Sequence, residues 1–221
     1  MLTPRNAPVG MLEFLKQILY PKVPDAIARN FQTVSHEGLE GIATSLKQHF
    51  FNRPIWGDAI SSDDYLASPD GARDMEGHLT GRLKNFRHVV VPWLDGARPL
   101  AGAEVLEIGC GTGSLTVALS EQGAHVVSVD IDKESLVVAK KRCDVFGVRS
   151  NFMTANAVDV FRLLGDKHFD MIIFSASLEH MNHSERLDAM KQAWEMLPSG
   201  GFMCVIEAPN RLWYADLHTS L

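Results

Sequence analysis

The sequence predicts an α/β fold, a doubly wound, mainly parallel sheet of about five strands with an N-terminal helical extension. Three observations point there. From residue 103 onward, short apolar runs alternate with stretches of helical periodicity, the βαβα order of a parallel sheet. The run 170–175 is almost wholly apolar, as a strand covered on both faces must be. Residues before 98 carry helical periodicity and loop punctuation with little strand signal. The division is therefore expected at 1–98, a helical extension and lid, and 99–221, a ligand-binding core.

Within the extension, Met11, Phe14, Leu15, Ile18 and Leu19 follow the i, i+3, i+4, i+7 rule, and Pro21 and Pro24 stop that helix. A second helix is expected over 35–50, with Leu39, Ile42, Ala43 and Leu46 on its apolar face. Ser35 is its N-cap, while Gly38 and Gly41 work against it. A polar, turn-rich stretch covers 52–74. A third helix over 75–90 carries Met75, Leu79, Leu83, Phe86 and Val90 on one side, and Pro92 is expected to end it.

The core opens with a strand at 104–108 that runs into a glycine cluster, then a helix at 112–122 with Leu115, Ala118 and Leu119 inward. A β-branched run at 125–130 ends in Asp130. Asp132 is placed to cap a helix through Phe146, closed by Gly147. Lys140, Lys141 and Arg142 stand near its C-terminus, where the helix dipole favours cations. Short strands follow at 151–154 and 170–175. A helix at 184–197 is expected to turn Leu187, Met190, Trp194 and Leu197 inward, and a fifth strand covers 202–207.

The 221 residues hold 21 Lys and Arg against 27 Asp and Glu, a formal charge of −6. That balance argues against a phosphate-tracking surface, hence against nucleic acid as a partner. With 46% apolar and 22% charged residues, the chain has enough apolar surface to bury a core. Cys110, Cys143 and Cys204 form neither a CxxC pair nor a disulfide framework, so reduced thiols and a cytoplasmic setting are expected. The apolar segment 11–20 is interrupted by Glu13, Lys16 and Gln17. It is too short and too polar to span a membrane.

Chemistry concentrates in the run Glu107, Ile108, Gly109, Cys110, Gly111, Thr112, Gly113 and Ser114, which leaves a strand and opens a helix. Glycines there let the backbone approach a ligand and adopt positive φ, and the helix start offers free N–H groups. A dinucleotide loop would place its third glycine at position 114, where this chain has Ser114. The acid Glu107 would repel a pyrophosphate and suits an ammonium or sulfonium group. Asp130 ends the second strand, where an acid grips ribose hydroxyls, and Asp132 already supplies the helix cap. A cationic nucleoside fits these residues better than NAD does.

Over 105–207, about half of the chain, these residues resemble a class I S-adenosylmethionine-dependent methyltransferase. Glu107 to Gly113 is similar to that family's glycine-rich motif, and Val127, Ser128, Val129, Asp130 and Ile131 to its ribose-binding strand end. Ala155, Asn156 and Ala157 resemble the segment after the third strand, which usually reads Asp-Ala. Residues 169–180, ending in Ser175, Ala176, Ser177, Leu178, Glu179 and His180, resemble the fourth-strand motif, and 197–201 the turn before the last core strand. The resemblance implies a Rossmann-like core that binds S-adenosyl-L-methionine and releases S-adenosyl-L-homocysteine. It implies that Gly109, Cys110 and Gly111 line the methionine portion, beside Glu107, with Ser175 at the methionine end. Asp130 would hold the ribose and Ile131 pack on the adenine. Asn156 would meet the adenine edge through its carbonyl, with the Ala157 N–H nearby. Upstream, Tyr65 and residues 78–82 resemble a lid, from which Arg82 would pair with the cofactor carboxylate.

Transfer from a sulfonium methyl is an in-line displacement that needs positioning above all. His180 is the candidate general base for a hydroxyl acceptor. His180 and His183 form an HxxH pair with no third ligand, so no metal is expected. Cys110 lacks a base partner and is not expected to be a nucleophile, and Trp194 is expected in the core. Ser175 to Leu178 lacks the Asn/Asp-Pro-Pro-aromatic tetrad used on flat amide or adenine acceptors. Residues 207–214, with Trp213 and Tyr214, resemble a loop of bacterial small-molecule methyltransferases. The expected acceptor is a small organic molecule, methylated on oxygen. Only fourteen residues follow Glu207, too few for the strand hairpin the family adds, so the sheet is expected to lack it. A second copy in a homo-oligomer would cover that edge. Two rival readings stand beside this one: a non-catalytic S-adenosylmethionine-binding module, and an NAD-type oxidoreductase, which Glu107 and Ser114 disfavour.

Overall fold

The computed structural model describes residues 31–52 and 61–206. The helix expected at 11–19 and the aromatic segment 207–214 lie outside the described residues. Helix α1 (His36–Ser45) is capped by Ser35, whose Oγ accepts from the Gly38 N–H, and continues into a π-helical turn (Leu46–Phe50). Gly38 and Gly41 are no interruption. A Cβ at Gly38 would lie 2.8 Å from Val145 Cγ1, so the missing side chains let α1 pack close to a later helix. After α2 (Ser62–Ala67), a long helix is assembled from α3 (Pro69–Glu76), a π-helical turn (Gly77–Gly81), α4 (Arg82–Asn85), a second π-helical turn (Phe86–Val90) and α5 (Val91–Ala97). The expected end at Pro92 does not occur. Pro92 falls in the first turn of α5, directly after a π-helical turn, where a missing N–H breaks no bond.

The core follows the predicted alternation: β1 (Glu104–Ile108), α6 (Ser114–Ser120), β2 (His125–Asp130), α7 (Lys133–Phe146), β3 (Asn151–Thr154), α8 (Ala157–Leu164), β4 (Met171–Ser175), α9 (His183–Glu195) and β5 (Phe202–Ile206). The strands lie in the order β3-β2-β1-β4-β5, every pair parallel. Asp132 caps α7 through the Glu134 N–H, and Gly147 ends it in the left-handed conformation at φ 66°. Asn182 and Glu185 form a capping box at the start of α9.

Strand alternation sorts the core into two layers. Val105, Val126, Met171 and Ile173 face α6 and α7, where Ile42, Leu46, Leu83, Phe86, Val90 and Leu94 of the preceding helices join the same apolar cluster. Leu106, Ile108, Val129, Ile172 and Phe174 face α8 and α9. On α9 the inward stripe differs from the expected one: Ala189, Ala193 and Met196 are buried, while Leu187 is 57% and Trp194 68% exposed. Two adjacent stripes share the helical spacing, and the one with small residues lets α9 sit close to the sheet. Bulk misled the expectation. Of the three cations near the α7 C-terminus, Arg142 is fully buried, while Lys140 and Lys141 are exposed.

Gly113 starts α6 at φ +80°, and a Cβ there would meet Ala139 Cβ at 2.8 Å and Ala139 Cα at 2.9 Å. Gly111 has φ +51° but nothing within 4 Å of the same position. Gly111→Ala should lower stability by about 1–2 kcal/mol for the left-handed backbone alone. Gly113→Ala should lower it by about 2–4 kcal/mol, because overpacking adds to the same strain. Urea unfolding midpoints of the two variants check the difference.

Candidate active site

The chain leaves β1 for β2 on one side, and β4 lies on the other, so the strand order reverses between β1 and β4. Loops diverge there and open a crevice at the C-terminal strand ends. A cavity of about 430 Å³ occupies it, a size suited to a small-molecule ligand. Arg82, Glu107, Gly109, Cys110, Gly111, Asp130, Ile131, Asn156, Ala157, Ser175 and His180 all line this one cavity. Tyr65 does not line it. Tyr65 packs near Phe51 and donates its hydroxyl to Asp74 at 3.2 Å.

The glycine loop is held by the end of β2. The Gly109 and Cys110 N–H groups both donate to Val129 O, at 2.9 and 3.0 Å. The Gly111 N–H donates to Asp130 Oδ2 at 2.7 Å, and the Asp132 N–H to Oδ1 at 2.9 Å. Asp130 thus ties the loop to the strand end, and each oxygen keeps acceptor capacity for a ligand. At Gly109 a Cβ would fall 2.6 Å from Ser177 Cβ and 2.7 Å from Ser175 O, so only glycine lets the β1 and β4 loops meet. Ala176 joins those serines at φ 42°, a left-handed backbone for an alanine, fixed by its N–H bond to Ile206 O at 2.9 Å. Such strain collects at functional sites.

Glu107 is buried against the α6 face of the sheet. Its Oε2 accepts from Thr116 Oγ1 at 2.5 Å and Ser128 Oγ at 3.2 Å, while Oε1 is buried with no hydrogen-bond partner. Burial pushes its pKa from 4.5 to about 7, helped by the nearby Asp130 charge and opposed by the two hydroxyls. Cys110 is buried, and burial beside Glu107 and Asp130 pushes its thiol far above the usual range. Ile131 stands 68% exposed at the cavity wall. Asn156 caps α8: its Oδ1 accepts from the Val158 N–H at 3.3 Å, which uses one of the two acceptor positions of the carbonyl expected at an adenine edge. His180 is exposed and ends a short 3₁₀ turn (Leu178–His180), its N–H bonded to Ser177 O at 3.2 Å.

Residues 105–201 match a family model described as a methyltransferase domain. Over that stretch the chain is similar to methyltransferase domains. Over 108 residues it is 32% identical to a ubiquinone biosynthesis O-methyltransferase of Azorhizobium caulinodans, covering 49% of this chain and 41% of that protein. Over 89 residues it is 40% identical to a cypemycin N-terminal methyltransferase of a Streptomyces species, covering 39% of this chain and 33% of that protein. The chain thus spans less than half the length of these relatives. A crystal structure of an S-adenosylmethionine-dependent methyltransferase from Clostridium acetobutylicum shares the fold, with a TM-score of 0.50, 19% identity, and coverage of 61% of this chain and 55% of that one.

Glu107 with its unpartnered buried oxygen, Asp130 at the end of β2 and exposed Ile131 line the same cavity, a set of groups that fits a cationic nucleoside such as S-adenosylmethionine. Sequence reading missed Arg142, whose guanidinium donates to Thr112 O at 2.8 Å, His78 O at 2.6 Å and Leu79 O at 3.0 Å. The signal was present: position 142 continues the buried stripe of 135, 139 and 146 on α7.

The folded Glu107 carboxyl keeps its proton to higher pH than the unfolded one. Its contribution to stability is therefore greatest below pH 4.5 and is lost as pH rises toward 7. In the ligand-free protein, Glu107→Gln should differ little from wild type near pH 5. Near pH 8 it should be more stable by about 3 kcal/mol, as measured by urea titration at each pH.

Proposed function

We propose that the chain transfers a methyl group from S-adenosyl-L-methionine to a small organic acceptor, on oxygen. The convergence of the glycine loop, Asp130 and Glu107 on a single cavity at the strand-order reversal supports this most. In this reading Asp130 holds the ribose hydroxyls, Ile131 packs on the adenine, and Asn156 and the Ala157 N–H meet its edge. Glu107 and the loop from Gly109 to Gly111 receive the amino-acid portion, Ser175 lies at its end, and Arg82 pairs with its carboxylate. The bound cofactor supplies an electrophilic methyl group. The protein's own task is to orient the acceptor in line and exclude water. His180 takes the acceptor's proton on its imidazole as the oxygen is methylated. The acidic balance speaks against nucleic acid as the acceptor, and three buried thiols suit a cytoplasmic setting. Among the described residues, no helix is long and apolar enough to cross a membrane.

Calorimetry with S-adenosylhomocysteine and with NAD separates this reading from an oxidoreductase: the first should bind and the second should not. A panel of phenolic, catecholic and carboxylic acceptors with methyl-labelled cofactor tests turnover. Binding without transfer to any of them would assign a non-catalytic cofactor module instead. Asp130→Ala should weaken S-adenosylhomocysteine binding by about 1–3 kcal/mol, read by the same calorimetry. With an acceptor hydroxyl, His180→Ala should lower kcat by about 10²–10⁴-fold while leaving S-adenosylhomocysteine affinity in place.

A further inference from the structure

We propose that Arg142 is a positioning residue for the cofactor: it locks the helix turn that carries Arg82 onto the glycine loop, so that Arg82 meets the carboxylate of the bound nucleoside. The proposal rests on the reading above. Arg142 sits on the inward side of α7, fully buried. Among the described residues its hydrogen-bond partners are carbonyl oxygens from two separate elements, Thr112 in the loop and His78 and Leu79 in the long helix. A buried charge held by backbone dipoles alone is costly to keep. Burial lowers its pKa to about 10, so it remains protonated at neutral pH.

The place of those carbonyls singles it out. His78 and Leu79 lie in the π-helical turn Gly77–Gly81, immediately before Arg82. In an α-helix the Arg82 N–H would bond to His78 O. Here it reaches back five residues to Gly77 O, and His78 O turns to Arg142 Nη2. The helix is opened by one residue where cavity-lining Arg82 emerges, and the Arg142 guanidinium fills the opening. Its Nε reaches Thr112, also at the cavity. The His78 Nδ1 lies 3.4 Å from Thr112 Oγ1, a second tie between the same two segments. Arg82 is close enough to disfavour the Arg142 charge, a like-charge repulsion that a carboxylate bound at Arg82 would relieve.

Titration calorimetry with two ligands tests this: S-adenosylhomocysteine, and 5′-methylthioadenosine, which has the nucleoside thioether but no carboxylate. Arg142→Lys keeps the charge but not the fork of donors. It should weaken S-adenosylhomocysteine by about tenfold and leave methylthioadenosine within about twofold, and it should add no further loss on an Arg82→Ala background. Equal losses for both ligands, or a full additional loss without Arg82, would overturn the proposal. In the unaltered protein, S-adenosylhomocysteine should slow hydrogen exchange in 77–83 together with 109–113; slowing confined to 109–113 would also overturn it. A wild-type protein that binds neither nucleoside overturns the cofactor reading itself, and this proposal with it.

Discussion

The central strand β1 is hydrogen-bonded on both sides to parallel neighbours, β2 and β4, and the rest of the site follows from that pairing. Parallel strands need crossovers, and the chain must leave β1 in one direction and return on the other. The loops at that end therefore separate, and the polar groups of the site gather between them: the glycine loop after β1, Asp130 at the end of β2, Asn156 after β3 and Ser175 at the end of β4. The helices before β1 close this crevice from one side because their apolar faces belong to the same buried cluster as β1 and α6.

Two buried ionisable groups flank the glycine loop, and neither is neutralised by the other. Glu107 is held by the hydroxyls of Thr116 and Ser128, and Arg142 by three carbonyl oxygens. Neutral dipoles fix the positions of both side chains.

Much of this was legible in the amino-acid sequence, for identifiable reasons. Strands β1, β2 and β3 are short runs with clear ends, and Ser35 and Asp132 are residue types that favour helix N-caps. The residues nominated from the strand-end motifs reach one cavity because topology fixes those positions, whereas Tyr65, nominated upstream of the core, does not. What escaped was set by tertiary packing. Trp194 and Ala193 occupy neighbouring stripes of one helix, and only the sheet decides between them. Pro92 is harmless because the preceding π-helical turn has shifted the bonding ladder, which no local rule shows. Arg142 reads as a surface cation next to two lysines until the turn at Gly77–Gly81 presents it with carbonyls. Asn156 satisfies a helix start and a cavity wall at once, and its spacing cannot rank the two.

The thiols carry a separate consequence. Cys110, Cys143 and Cys204 are all buried and unpaired, and burial pushes Cys143 up to about 12 and Cys204 to about 11, with Cys110 also strongly raised. The thiolate is the form that peroxides and alkylating agents attack. The loop that would embrace the ligand therefore contains a cysteine that burial holds in its thiol form, and thiolate chemistry at these three positions is favoured by local opening.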